Sequence, residues 1–338
     1  MRSRAISIRA EAAEEMYGSV VAADTRDGGG HVVLRKGTRL GPAHGQALAS
    51  LAAIEIHLVD LDPEELEQDE AAGRLAGALA GAGTRADGPE QGQTRLRATV
   101  RGVLRVRSET VRRVNALSPL LCFTLPDGQV VLEGDEVAGV KSASLATPAA
   151  ALAGVEELVR TGGPAVTVSA FVARRVFVLV TERLGQKARG LVREAIAKKI
   201  GWYGSSVADV AEVAHERSAA LAALRAGLAA GAELVLVSGA NPLDPLDPVL
   251  VALGDAGGLV LRAGVPAHPG SMVWAGQLGP VPVVGVATCA GFGKSTALDL
   301  VLARVLAGDD LVRAVEEIGH GGLLEGPGSA YRFPPYDR

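Results

Sequence analysis

The sequence predicts an α/β protein whose C-terminal half is a three-layer unit, a mainly parallel sheet covered by helices. Three observations carry this. From Arg174 onward, short apolar runs alternate with longer stretches of helical period. The runs are continuously apolar, as expected of strands buried on both faces. Several of them lead directly into glycine-bearing loops, the place where sheets of this kind bind ligands, beyond the carboxyl ends of their strands.

Ahead of that unit, the first 90 residues read as a mixed α+β segment. "HVVLRKGTRLG" (31–41) alternates and turns at glycine, 41–54 reads as a short helix, and "EIHLVDL" (55–61) as a strand. Asp62-Pro63 is a helix-start signal before "EELEQDEAAGRLAGALAGAG". "GTRADGPEQGQTR" (83–95) has Gly, Pro and polar residues without an apolar period, and predicts a linker. Residues 91–170 then predict a small β module and connector: short strands around a Pro126-Asp127-Gly128 turn, a helix over 147–160 and a strand over 165–171.

In the unit 171–338, "RRVFVLVTE" (174–182) is a buried strand. The helix over 186–200 places Leu191, Val192, Ala195, Ile196 and Ile200 on one face. Strand "SSVADVAEV", helix "ERSAALAALRAGLAAG", strand "ELVLVSGA", helix "DPVLVALGDAG", strands "GLVLRAG" and "VPVVGVA", and helix "KSTALDLVLARVLAG" follow.

Composition narrows the chemistry. The chain is 48% apolar but only 3% aromatic, so its core is aliphatic. The net charge is −4, with Arg and Lys interspersed among Asp and Glu, which argues against nucleic acid or an anionic membrane as partner. Cys122 and Cys289 stand alone without zinc spacing and fit a reducing cytoplasm. The first residues turn acidic before any apolar run, unlike a signal peptide, and no apolar run is of membrane-spanning length.

"ATCAGFGKST" (287–296) invites comparison with a nucleotide-binding P-loop. That loop needs a glycine five positions before Gly293, to let the backbone curl around phosphate, and Thr288 stands there. The remaining readings are a strand-to-helix turn capped by Ser295 or Thr296, or a helix N-terminus that offers its N–H groups to an anion.

Three loops together carry a resemblance: Ser238-Gly239-Ala240 with "NPLDPLDP" after it, His268-Pro269-Gly270, and "VPVVGVATCAGFGKST". Over residues 172–307 the chain resembles the molybdopterin-binding domain of the molybdenum insertases (molybdopterin molybdotransferases), shared with the molybdopterin adenylyltransferases and the competence/damage-inducible-type proteins. The family's Pro-Gly-Asn-Pro run is replaced by Ala287-Thr288-Cys289-Ala290, and one family aspartate falls on Pro245, with Asp244 one place before it. The resemblance implies binding of molybdopterin, or adenylylated molybdopterin, with Mg²⁺, in molybdenum-cofactor biosynthesis or molybdate insertion. It also implies a homo-oligomer, with a molybdoenzyme apoprotein as a candidate partner. The alternatives are a non-catalytic cofactor carrier and a nucleotide-diphosphate hydrolase.

Each candidate residue has two readings. Ser238, Gly239 and Ala240 offer backbone N–H groups to a phosphate, or form a tight turn. Asp244 and Asp247 hold Mg²⁺ and act catalytically, or Asp247 caps the helix that starts at Pro248. His268, Pro269 and Gly270 approach the ligand, or form a plain turn. Lys294 and Ser295 neutralise and bind phosphate, or open a solvated helix. Glu182 reads as a loop residue near the acidic position of the family, His215 as structural, and Cys289 as a small buried residue.

Overall fold

In the computed structural model, residues 1–8, 10–51, 53–182, 185–286, 295–318, 322–325 and 333–336 are described. The chain divides into two compact units, residues 1–100, 104–127 and 132–168 in the first and residues 101–103, 128–131 and 169–338 in the second. Both the mixed segment expected over 1–90 and most of the β module expected over 91–170 therefore fall in the first unit.

The first unit begins with an antiparallel pairing of Arg2–Ser7 and Val20–Val21 on either side of Glu55–Asp60. Leu48, Leu51, Ile56 and Leu58 lie in the core beside it. A second, four-stranded antiparallel sheet runs in the order Leu120–Thr124, Glu136–Ser142, Gln93–Ala98, Thr84–Glu90. The helix Gln68–Leu79 packs on this sheet through Ala71, Ala72, Leu75, Ala76 and Leu79.

Two expectations are corrected here. The helix does not start at Asp62-Pro63. A short strand, Glu65–Glu67, comes first, and the Glu67 side chain then caps the helix by accepting from the Asp69 amide. Nor is 83–95 a linker. It forms a hairpin turned at Gln91 and Gly92, both with positive φ, the geometry of a two-residue turn whose twist matches its strands. The turn residues that suggested a break lie inside a paired element, and its largely exposed strand lacks an apolar period.

The second unit has the expected architecture. Its elements are β1 (Arg175–Val180), α1 (Gln186–Trp202), β2 (Ser206–Glu212), α2 (Arg217–Ala229), β3 (Leu234–Ser238), α3 (Pro248–Asp255), β4 (Gly258–Arg262), β5 (Trp274–Leu278), β6 (Val281–Val286), α4 (Ala297–Leu306) and α5 (Leu311–Glu316). The sheet order is β2-β1-β3-β6-β5-β4. The first four are parallel, and β5 runs antiparallel to both its neighbours. On one face Phe177, Leu179, Val235, Val237 and Val283 pack with Ala220, Leu224, Val249 and Leu253 of α2 and α3. Alternation sends Val176, Val178 and Leu236 to the other face, where they are also buried. Strand β5 and helix α5 are additions to the expected elements: β5 is short and carries a mid-strand glycine, and α5 has only six residues.

Helix α1 keeps Val192, Ile196 and Ile200 inside, but Leu191 is 50% exposed. Lys199 takes an interior place instead. Its ammonium donates to Asp299 Oδ1 of α4 at 2.5 Å, with both side chains buried. Asp299 also accepts from the Thr296 amide at 2.7 Å, which completes a capping box, and from the Tyr336 hydroxyl. Burial pushes the Tyr203 and Tyr336 phenols far above their ordinary pKa, so both stay protonated as donors. Trp202 and Phe171 close the cluster with edge-on aromatic contacts. All ten residues of α4 are buried, so this polar knot sits at the head of a helix with no wet face.

Removing one partner of a buried ion pair leaves the other charge uncompensated. Lys199→Ala is therefore expected to lower unfolding free energy by about 3 kcal/mol, read from urea denaturation. A loss under about 1 kcal/mol, the range of surface pairs, would show the pair to be dispensable.

Candidate functional site

Parallel strands β1, β2 and β3 and strand β6 end at one edge of the sheet. Val180, Glu212, Ser238 and Val286 are the last residues of these strands, and the register pairs Val180 with both Glu212 and Ser238, and Ser238 with Val286. Trp274, the first residue of antiparallel β5, pairs with Gly285 near the end of β6. The His268–Gly270 segment, just before β5, is thereby delivered to the same edge as Ser238.

At the end of β3 the Ser238 carbonyl accepts from the Thr181 amide (2.9 Å) and hydroxyl (3.2 Å), and its own hydroxyl donates to Glu182 (3.3 Å). Gly239 follows at φ +101°. A Cβ there would lie 2.5 Å from Thr181 Oγ1 and 2.8 Å from the Glu182 amide, so both backbone angle and space demand glycine. The amides of Gly239 and Ala240 have no hydrogen-bond partner among the described residues. Two neighbouring free N–H groups at a strand's carboxyl end are suited to an anion.

Asp247 is buried and caps α3. Its Oδ1 accepts from Val249 (2.9 Å) and Leu250 (3.3 Å), and its Oδ2 accepts from Asn241 (3.0 Å). The same Oδ2 lies 3.4 Å from His215 Nε2, while His215 Nδ1 lies 3.2 Å from Thr181 Oγ1. One imidazole thus ties the ends of β1 and β2 to the cap of α3. His215 read as structural in the sequence. Its isolation there hid the link, which needs the ends of three strands to be neighbours.

The two carboxylates expected to hold Mg²⁺ both make hydrogen bonds within the fold. Both oxygens of Asp247 are engaged within the fold, and Asp244 is exposed, with its Oδ1 accepting from the Leu246 amide in a turn. Among the described residues, no group of three or more His, Cys, Asp or Glu side chains is placed to hold a metal ion. In this arrangement Asp247 serves as helix cap and partner of His215, and Asp244 closes a turn.

A cavity of about 270 Å³ opens beside this cluster, lined by Thr181, Glu182, Arg189, Glu212, His215 and Glu216. Glu212 is held by Arg189 (3.5 Å) and Arg193 (2.7 Å), and Glu182 and His215 stand among the other lining residues.

The second loop group meets α4. Pro269 accepts from the Ala297 amide at 2.9 Å, and Gly270, at φ +105°, approaches so closely that a Cβ would lie 2.8 Å from that nitrogen. His268 is exposed, and its backbone pairs with Gly322 and Leu324. Thr296, not Ser295, caps the helix; Ser295 is half-buried beside it. Lys294 and Cys289 lie outside the described residues. No helix of the described residues is long and apolar enough to cross a membrane.

No family model matches the sequence, and a search of the curated proteins finds no match. Among solved structures, the chain overlaps the molybdopterin biosynthesis enzyme MoaB of Thermus thermophilus with 18% identity and TM-score 0.29, covering 41% of this chain and 99% of that one. A molybdopterin biosynthesis MoeA protein from Pyrococcus horikosii overlaps at 17% identity and TM-score 0.30, covering 75% of each. The Mog protein of Mycobacterium ulcerans does so at 19% and 0.30, covering 43% of this chain and 99% of that one. The chain is similar to molybdopterin biosynthesis proteins. At these identities and TM-scores the likeness assigns no activity.

Two substitutions check the geometry. Asp247→Ala should cost about 2 kcal/mol of stability, a lost cap plus a buried amide left unpaired, whereas Asp247→Asn, a good capping residue, should recover most of it; equal losses in a denaturation series would contradict the cap. Gly270→Ala should destabilise by about 1–3 kcal/mol through its disfavoured φ, and an unchanged melting temperature would show that the loop is free to move off α4.

Proposed function

We propose that the second unit binds a phosphorylated pterin of the molybdopterin type at the carboxyl edge of its sheet and serves molybdenum-cofactor biosynthesis. The observation that carries this reading is the free amide pair of Gly239 and Ala240 at the end of β3, on the same edge as the Pro269–Gly270 turn and the head of α4. Its order of loops is the one in which the sequence resembles the family. The amides would take the ligand's phosphate, and Ser295 lies at the helix head where a second anionic oxygen could be met. Polar edges of the pterin would find Glu182 and His215 in the adjoining cavity.

Within this reading, a binding or carrier role is favoured over molybdate insertion. What supports this preference is that Asp247 is engaged as a cap and as the partner of His215. Adenylylation of the ligand, a homo-oligomeric state and delivery to a molybdoenzyme are further parts of the same proposal.

Isothermal titration of the purified protein with molybdopterin should give saturable heat at micromolar cofactor, weakened at least about tenfold in Gly239→Ala, the order expected when hydrogen bonds to a charged group are displaced. No binding at micromolar cofactor would sink the reading. Growth rescue of an insertase-deficient strain would separate the two roles, since a pure carrier restores none.

A further inference from the structure

The first unit holds a second cavity, of about 340 Å³, unconnected with the pterin reading. Lys36, Arg95 and Lys141 line it together with Asp87, Glu90 and the amide side chains of Gln91 and Gln93. Two of these charges are already matched: Asp87 with Arg97 at 2.7 Å, and Arg95 with Glu136 at 3.3 Å. The ammonium groups of Lys36 and Lys141 have no ion-pair or hydrogen-bond partner among the described residues, and Glu90 is the remaining lining carboxylate. Two unmatched cations on one concave wall raise the local concentration of anions.

The wall is built by the fold. Gln68, only 2% exposed, lies at the start of its helix between two glycines. A Cβ on Gly37 would sit 2.2 Å from its Nε2, and one on Gly92 would sit 3.0 Å from its Oε1. Asp69, next in the helix, accepts from the Gly92 amide at 2.5 Å, and the Gly92 carbonyl accepts from the Ser142 amide at 2.9 Å. One helix start thereby fixes the three segments that supply Lys36, Gln91 with Gln93, and Lys141. The hairpin shifts register between Asp87 and Glu90, ahead of the turn at Gln91 and Gly92. Bulges of this kind gather at binding sites.

We propose that this cavity binds the phosphate group of a small phosphorylated molecule, with Lys36 and Lys141 on the phosphate oxygens and Gln91 and Gln93 on its remaining polar groups. The lining residues include no aromatic side chain to stack a ring, so recognition rests on charge and hydrogen bonding. The volume suits a small metabolite rather than a polymer.

The test is isothermal titration of the full chain with inorganic pyrophosphate and, in parallel, with adenosine diphosphate. Pyrophosphate should bind, and Lys36→Gln and Lys141→Gln should each weaken it by about tenfold, the order for loss of a charge-assisted hydrogen bond. Arg112→Gln, which removes an equal charge elsewhere on the unit, should bind as wild type. Tighter binding of adenosine diphosphate would place an organic moiety in the same cavity, again with loss in both lysine variants. Wild-type strength in both lysine variants, equal weakening by Arg112→Gln, or no pyrophosphate binding by the wild type would each overturn the proposal. Thermal unfolding of every variant confirms that it is folded.

Discussion

Asp299 is wholly buried, and the second unit is organised around satisfying its charge. A carboxylate removed from water is costly unless paired and hydrogen-bonded. Here Lys199 comes from α1, the Thr296 amide from the helix's own cap, and a phenol from Tyr336 near the chain's end. These partners lie about a hundred residues upstream, next door, and 37 residues downstream. The head of α4 is thereby held against α1 and the C-terminal residues at once. That head also receives the Pro269 carbonyl, so the polar knot holds one side of the candidate site in place. Arg304, buried at the other end of α4, is matched by Glu317 at 2.5 Å. The helix carries its negative charge at its positive end and its positive charge at its negative end, the favourable sense for its dipole.

The other side of the site is held by a smaller device. His215 joins Thr181 to Asp247, and Asp247 joins the end of β3 to the start of α3. Loop residues 239–247 are thus tied at both ends, and the three prolines among and beside them, Pro242, Pro245 and Pro248, limit what lies between. A binding edge stiffened in this way loses little entropy when a ligand arrives.

Much of the second unit was legible because its signals are local. Continuous apolar runs mark β1, β3 and β6, and Asp247-Pro248 marks the start of α3 by cap chemistry alone. What escaped was whatever depends on distant partners. Lys199 is a charge on a helix face, and nothing near it in sequence announces Asp299. Leu191 shows the converse, an apolar residue at the right spacing that lies half outside. The hairpin over 84–98 was hidden because its strands are half wet and its turn residues imitate a linker. In the site, the loop glycines were readable from backbone demands. The role of His215 was not, because it arises only where three strand ends meet.

Strand β4 has a consequence of another kind. It forms the outer edge of the sheet, and Leu259, Val260 and Leu261 remain substantially exposed on it. An apolar, unpaired edge is a template on which another strand can grow. Here the edge is only five residues long, and its pairing with β5 slips between Val260 and Arg262. The slip breaks the straight run of amides and carbonyls that an incoming strand would need, so the irregularity guards the sheet against open-ended growth while leaving its aliphatic surface in place.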